Sequence, residues 1–154
     1  MAHYRLDFVV SSPAHSATFL DFSSNGRFLV VGDRASPSLH IFDQLAGFHA
    51  TISFIAPAEP TAVVWETSKT LYVGFGDGRF IHYRIDLRER RLVEGTKNNY
   101  FRGAFPVTAM ALDSESKTLV LSVGPEVLAF RRVHNTSTSH FRLLKDWEQQ
   151  TDDT

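Results

Sequence analysis

Val107-Thr-Ala-Met-Ala-Leu-Asp-Ser-Glu-Ser-Lys-Thr-Leu-Val-Leu-Ser-Val-Gly124, continued by Glu126-Val-Leu-Ala-Phe130, is the stretch that decides the fold. Thr108, Met110 and Leu112 alternate with their neighbours at the period of two that puts side chains on opposite faces of a strand. A polar turn follows, then the apolar run Thr118 to Val123, a glycine turn, and a third strand ending on Phe130. The same unit occurs twice upstream. Thr18-Phe-Leu-Asp-Phe22, the turn Ser23-Ser-Asn-Gly26, Arg27 to Val31, Gly32-Asp33 and Ser38-Leu-His-Ile-Phe-Asp43 form one copy. Thr61-Ala-Val-Val-Trp65, Glu66-Thr-Ser-Lys69, Leu71-Tyr-Val-Gly74, Phe75-Gly-Asp-Gly78 and Phe80 to Ile85 form another.

Aligned on their first strands, Thr18, Thr61 and Thr108 coincide, starting 43 and 47 residues apart. Leu20, Val63 and Met110 also coincide, as do Phe22, Trp65 and Leu112. A unit of three or four strands repeating every ~40–45 residues points to propeller blades. Fourth strands are expected at Ala50 to Ile55, around Leu92-Val93 beyond the charged tip Arg88 to Arg91, and at Phe141 to Leu144. The last could instead begin a short helix through Trp147. Tyr4 to Val10 reads as a further strand, Thr96 to Gly103 as an irregular insertion, and 149–154 as a polar tail. The reading is therefore all-β: a half-propeller over residues 1–148, with blades at about 15–57, 58–104 and 105–146, each of four antiparallel strands, and an edge-completing or swapped strand within 1–12.

Composition narrows the function. The 154 residues are 43% apolar and 21% charged, with 13 Phe, as suits a packed β core. A net charge of −1 gives no basis for a nucleic-acid partner. The absence of cysteine excludes disulfides, Cys-ligated zinc and thiol nucleophiles, and fits a cytoplasmic or nuclear setting. No apolar run approaches the ~20 residues of a membrane span, and the N-terminal residues do not resemble a signal peptide.

The repeats resemble the WD40 family on specific residues. Val107-Thr-Ala-Met-Ala-Leu-Asp113 matches the opening strand of such a repeat, Phe75-Gly-Asp-Gly78 its Gly-containing turn, and Ile41-Phe42-Asp43 stands where Ile-Trp-Asp is usual. The resemblance covers Ala17 to about Val133. It departs from the pattern where Phe42, Tyr83 and Phe130 replace Trp, and where the Gly-His pair is missing, with His15 near its place. It implies a β-propeller that binds protein or peptide segments. An up-and-down barrel or jelly roll is the competing architecture.

Propellers have about 4–8 blades, and this chain supplies three. The expectation is a non-catalytic interaction or scaffold module that pairs with a second copy into a six-bladed ring. The alternatives are a fragment of a longer propeller, whose remaining blades would be its partner, and an enzyme with its site in the propeller channel. Loop and turn residues Arg34, Phe75, Asp77 and Tyr100 are the expected protein-binding positions, and Leu6, Phe8, Phe141, Leu143 and Trp147 the expected self-association positions. His40 and His82 fall in different blades, which argues against a shared metal, and no metal or cofactor motif is present. Asp33, Asp43, Asp77, Asp86 and Asp113 sit at turns and strand ends, where Asp has a local hydrogen-bonding role. No phosphate loop or Gly-x-Ser-x-Gly elbow occurs.

Overall fold

The computed structural model describes residues 3–6, 14–95, 105–134 and 139–143. Its strands form three separate sheets of four, each a simple meander. The first holds β1 (Ala17–Phe22), β2 (Phe28–Asp33), β3 (Ser38–Asp43) and β4 (His49–Ile55). The second holds β5 (Pro60–Trp65), β6 (Thr70–Phe75), β7 (Phe80–Asp86) and β8 (Arg91–Glu94). The third holds β9 (Val107–Asp113), β10 (Thr118–Val123), β11 (Glu126–His134) and β12 (Ser139–Leu143). Every neighbouring pair is antiparallel, and the division into three separate sheets excludes one continuous barrel. The chain is three propeller blades.

Turn chemistry sets the meanders. Asn25-Gly26 closes β1 onto β2 with Gly26 at φ 73°, a conformation that costs glycine little. Asp43 ends β3 by accepting from the Leu45 N–H, which starts the 3₁₀ turn Gln44–Ala46.

Two apolar cores lie between the sheets. Phe28, Val30, Leu39 and Ile41 of the first blade meet Leu71, Val73, Phe75 and Tyr83 of the second. Ala62, Tyr72 and Phe80 of the second meet Val107, Leu119, Leu121 and Phe130 of the third. Cross-strand partners share a face, so each blade has two apolar flanks and the middle blade buries both. The first strands lie side by side, β5 against both β1 and β9. On them the side chain directly after the repeated threonine faces the following blade, as Phe19 and Ala62 do. The second and fourth after it face the preceding blade, as Val63, Trp65, Met110 and Leu112 do.

The repeated threonine joins one blade to the next. Thr18 Oγ1 donates to the Pro60 carbonyl at 2.8 Å, and Thr61 Oγ1 donates to the Val107 carbonyl. Gly74 leaves room for this junction: a Cβ there would stand 2.7 Å from Val107 Cβ.

One expectation changes, and one pair of alternatives is decided. Residues 3–6 have no regular structure, so no strand begins at Tyr4; the rest of that stretch and the insertion at 96–103 lie outside the described residues. Ser139–Leu143 is a strand rather than the start of a helix, and it supplies the fourth strand of the third blade from within the chain. That blade needs no borrowed strand. Among the described residues no helix is long and apolar enough to cross a membrane.

Candidate functional site

Because each blade is a meander, the β2–β3 and β6–β7 turns and the links between blades gather at one end of the sheets. There Ser16, Ala17, Thr18, Arg34, Glu59 and Thr61 line a cleft of about 290 Å³ between the first two blades. Arg34 follows β2 and its Nε lies 2.7 Å from Glu59 Oε1, with the Arg34 side chain 68% exposed. The Glu59 carbonyl accepts from the Gly76 N–H at 2.8 Å, which ties the cleft to the turn carrying Asp77. Ile55 and Phe105 are exposed at the same end, by 87% and 54%.

Asp33 holds the cleft's back wall. Its carboxylate accepts from the N–H groups of His15, Ser16 and Ala35, each at 3.1 Å. Burial alone would raise its pKa; those three donors outweigh burial and hold it below the ordinary value. The segment entering β1 and the turn bearing Arg34 are thereby fixed to one residue.

The positions expected from sequence separate. Arg34 lines the cleft, and the Asp77 turn adjoins it through Gly76. Asp77 itself pairs with Arg79 at 2.6 Å; burial would raise its carboxyl, and the Arg79 hydrogen bonds bring it below the ordinary value. Phe75 is corrected: it is fully buried in the first core and offers no side chain to a partner. Its place at the head of a turn suggested exposure, but it is the last residue of β6 and faces the preceding blade. Tyr100, Phe8 and Trp147 lie outside the described residues. Leu6 is 80% exposed, and Phe141 and Leu143 belong to β12 at the edge of the third sheet. Glu59 and Phe105 were missed because neither belongs to a motif; the link between blades that each ends was the only signal.

The polar groups elsewhere are engaged structurally. His40 Nε2 meets Ser38 Oγ at 3.1 Å and Nδ1 meets Ser53 Oγ at 3.0 Å. Ser38 donates its own proton to the Ser36 carbonyl at 2.6 Å, so it accepts from Nε2–H, and Nδ1 accepts from Ser53. Burial lowers the His40 pKa, which favours the neutral ring that these hydrogen bonds require. The chain of bonds fastens β3 to β4. His82 pairs with Glu66 at 2.8 Å in the second blade. Asp43 pairs with Arg27, whose hydrogen bond holds it below the ordinary carboxylate value, and Asp86 and Asp113 accept from the Glu89 and Glu115 N–H groups. Among the described residues no cluster of three or more His, Asp or Glu is placed to hold a metal.

No protein-family model and no curated protein matches the sequence. Among solved structures the chain is similar to the C-terminal WD40 domain of Sif2, at a TM-score of 0.56 and 10% identity, over 82% of this chain. It spans 33% of the length of that structure. The likeness is one of fold: the chain has the WD40 type of β-propeller architecture.

Proposed function

We propose that the chain is a non-catalytic protein-interaction module of the WD40 type, which docks a protein segment at the end of the blades that carries the Arg34–Glu59 cleft. The observation that carries this reading is the cleft's composition: an exposed ion pair over threonine hydroxyls, with Ile55 and Phe105 exposed at the same end. A peptide acidic group would exchange Glu59 for itself on the Arg34 guanidinium, and an apolar side chain would cover Phe105. Each first strand delivers its blade's links to this end, so the fold concentrates adaptable loops there. The reading includes self-association, since three blades leave two flanks of the arc without a neighbouring sheet among the described residues. Further blades of a longer chain would serve the same end, and the span of a third of the Sif2 structure favours a part-ring either way.

A displayed random peptide library panned on the chain, then on Arg34→Glu and Phe105→Ala variants, tests the docking site. Enriched peptides should carry an acidic residue near an apolar one, and should lose binding to both variants. Absence of enrichment, or binding indifferent to both substitutions, would overturn the assignment.

A further inference from the structure

The junctions inside the chain prescribe what its open flanks accept. At each junction one blade offers a threonine donor, and the next offers large apolar side chains and the carbonyl of the residue before its own threonine; beside the donor the first blade carries Phe19 and the second the small Ala62. Thr18 donates to Pro60, just before Thr61, and Thr61 to Val107, just before Thr108. Beside them, Ala62 and Gly74 of the second blade receive Val107 and Met110 of the third.

The two ends of the arc carry the two halves of one more such junction. Thr108 makes the bond to its own blade that Thr61 also makes, Thr108 to the Ser122 carbonyl and Thr61 to the Gly74 carbonyl, both at 3.3 Å. The cross-blade acceptor that Thr18 and Thr61 have is absent for Thr108 among the described residues. Ala109 and Ala111, exposed beside it, are the small positions of the third blade's outer flank. On the first blade, Leu20 and Phe22 occupy the positions of Met110 and Leu112, yet are 66% and 45% exposed. Ala17 stands where Pro60 and Val107 stand.

We infer that the outer flank of the third blade receives the first blade of a second copy, with Thr108 donating to the partner's Ala17 carbonyl and Leu20 and Phe22 lying over Ala109 and Ala111. This rests on the self-association in the preceding reading and gives it a direction and residues. The contact is head-to-tail, and two copies use it twice, closing six blades about a two-fold axis. The second copy is the occupant because one chain carries the donor flank and the acceptor flank in the same chemistry as its own internal junctions.

The absence of native cysteine makes the test direct. The Cβ positions at Gly74 and Val107 across an internal junction lie 2.7 Å apart, and the equivalent pair across the new one is Ser122 and Ala17. Disulfides need Cβ atoms about 3.8 Å apart, so a slight opening accommodates one. Ser122→Cys and Ala17→Cys chains, mixed and oxidised, should crosslink as a heterodimer, while neither variant crosslinks alone. The unmodified 17.4 kDa chain should scatter light as a dimer. Thr108→Val should weaken that dimer on the order of 10- to 30-fold, for one hydrogen bond at each of two junctions, and leave its circular dichroism unchanged. A monomer at all concentrations, a single variant that crosslinks with itself, a dimer that the mixed pair does not crosslink, or a ladder of longer oligomers from a chain carrying both cysteines would each overturn the inference. Peptide docking at Arg34 is read separately, so its loss and the loss of the ring are distinguishable.

Discussion

At the residue scale the threonines at 18 and 61 do more than their β propensity requires. Each bridges two blades, and each removal leaves a carbonyl of the next blade without its donor. Thr18→Val or Thr61→Val should lower the urea stability by about 1–2 kcal/mol, against little change for an isosteric replacement at an unbridged site. Gly74→Ala forces a methyl against Val107, whose β-branched side chain cannot swing away, and should cost about 1–3 kcal/mol by the same assay. Lys117, in the β9–β10 turn, takes φ 54° without the freedom of glycine. Lys117→Gly should therefore stabilise the fold by roughly 0.5 kcal/mol, as removal of left-handed strain exceeds the added chain entropy. The threonine alignment was legible in the sequence, because the repeat places the residues in register. Their reach was not: a hydroxyl that crosses to the next blade reads like any strand threonine until the sheets are stacked.

At the element scale, turn carboxylates fix several strand ends and one buried histidine ties β3 to β4. Strand boundaries were legible from alternation and from Asn25-Gly26 and Gly76-Asp77-Gly78, and the turn role expected of the aspartates is what Asp33, Asp43, Asp86 and Asp113 perform. Phe75 was misread since a turn signal says where a strand stops, not which flank its last side chain faces. Folding holds Asp33 and Asp43 below the ordinary carboxylate value of 3.8, so the stability they supply is complete above it and is lost as pH falls through their lower folded values. His40 acts in a different window. Its folded pKa lies below the ordinary 6.5, so as pH falls through 6.5 the unfolded chain takes up a proton that the fold refuses, and stability declines. Urea midpoints at about pH 7.5 and pH 5.5 should differ for the native chain and differ less for His40→Gln; an unchanged difference would place the titration on another histidine.

At the scale of the whole molecule, the period of the repeat established blades and their number, while closure required knowing which flank each side chain occupies. Leu20 and Phe22 read as core residues in sequence, yet both stand exposed on the first blade. A propeller blade is wedge-shaped only in company: the middle blade here has two neighbours and two buried flanks, and the outer blades have one neighbour each. If a second copy supplies the missing neighbours, unfolding separates two chains, and mass action enters the melting temperature. With an unfolding enthalpy of roughly 0.7 kcal/mol per residue over both chains, Tm should rise by about 2–4 °C for each tenfold increase in protein concentration. Leu20→Ser, which places a hydroxyl where the partner's alanines should meet a large apolar side chain, should flatten that dependence while leaving the two internal cores intact. A native Tm independent of concentration would mean that the arc folds and melts as a single chain.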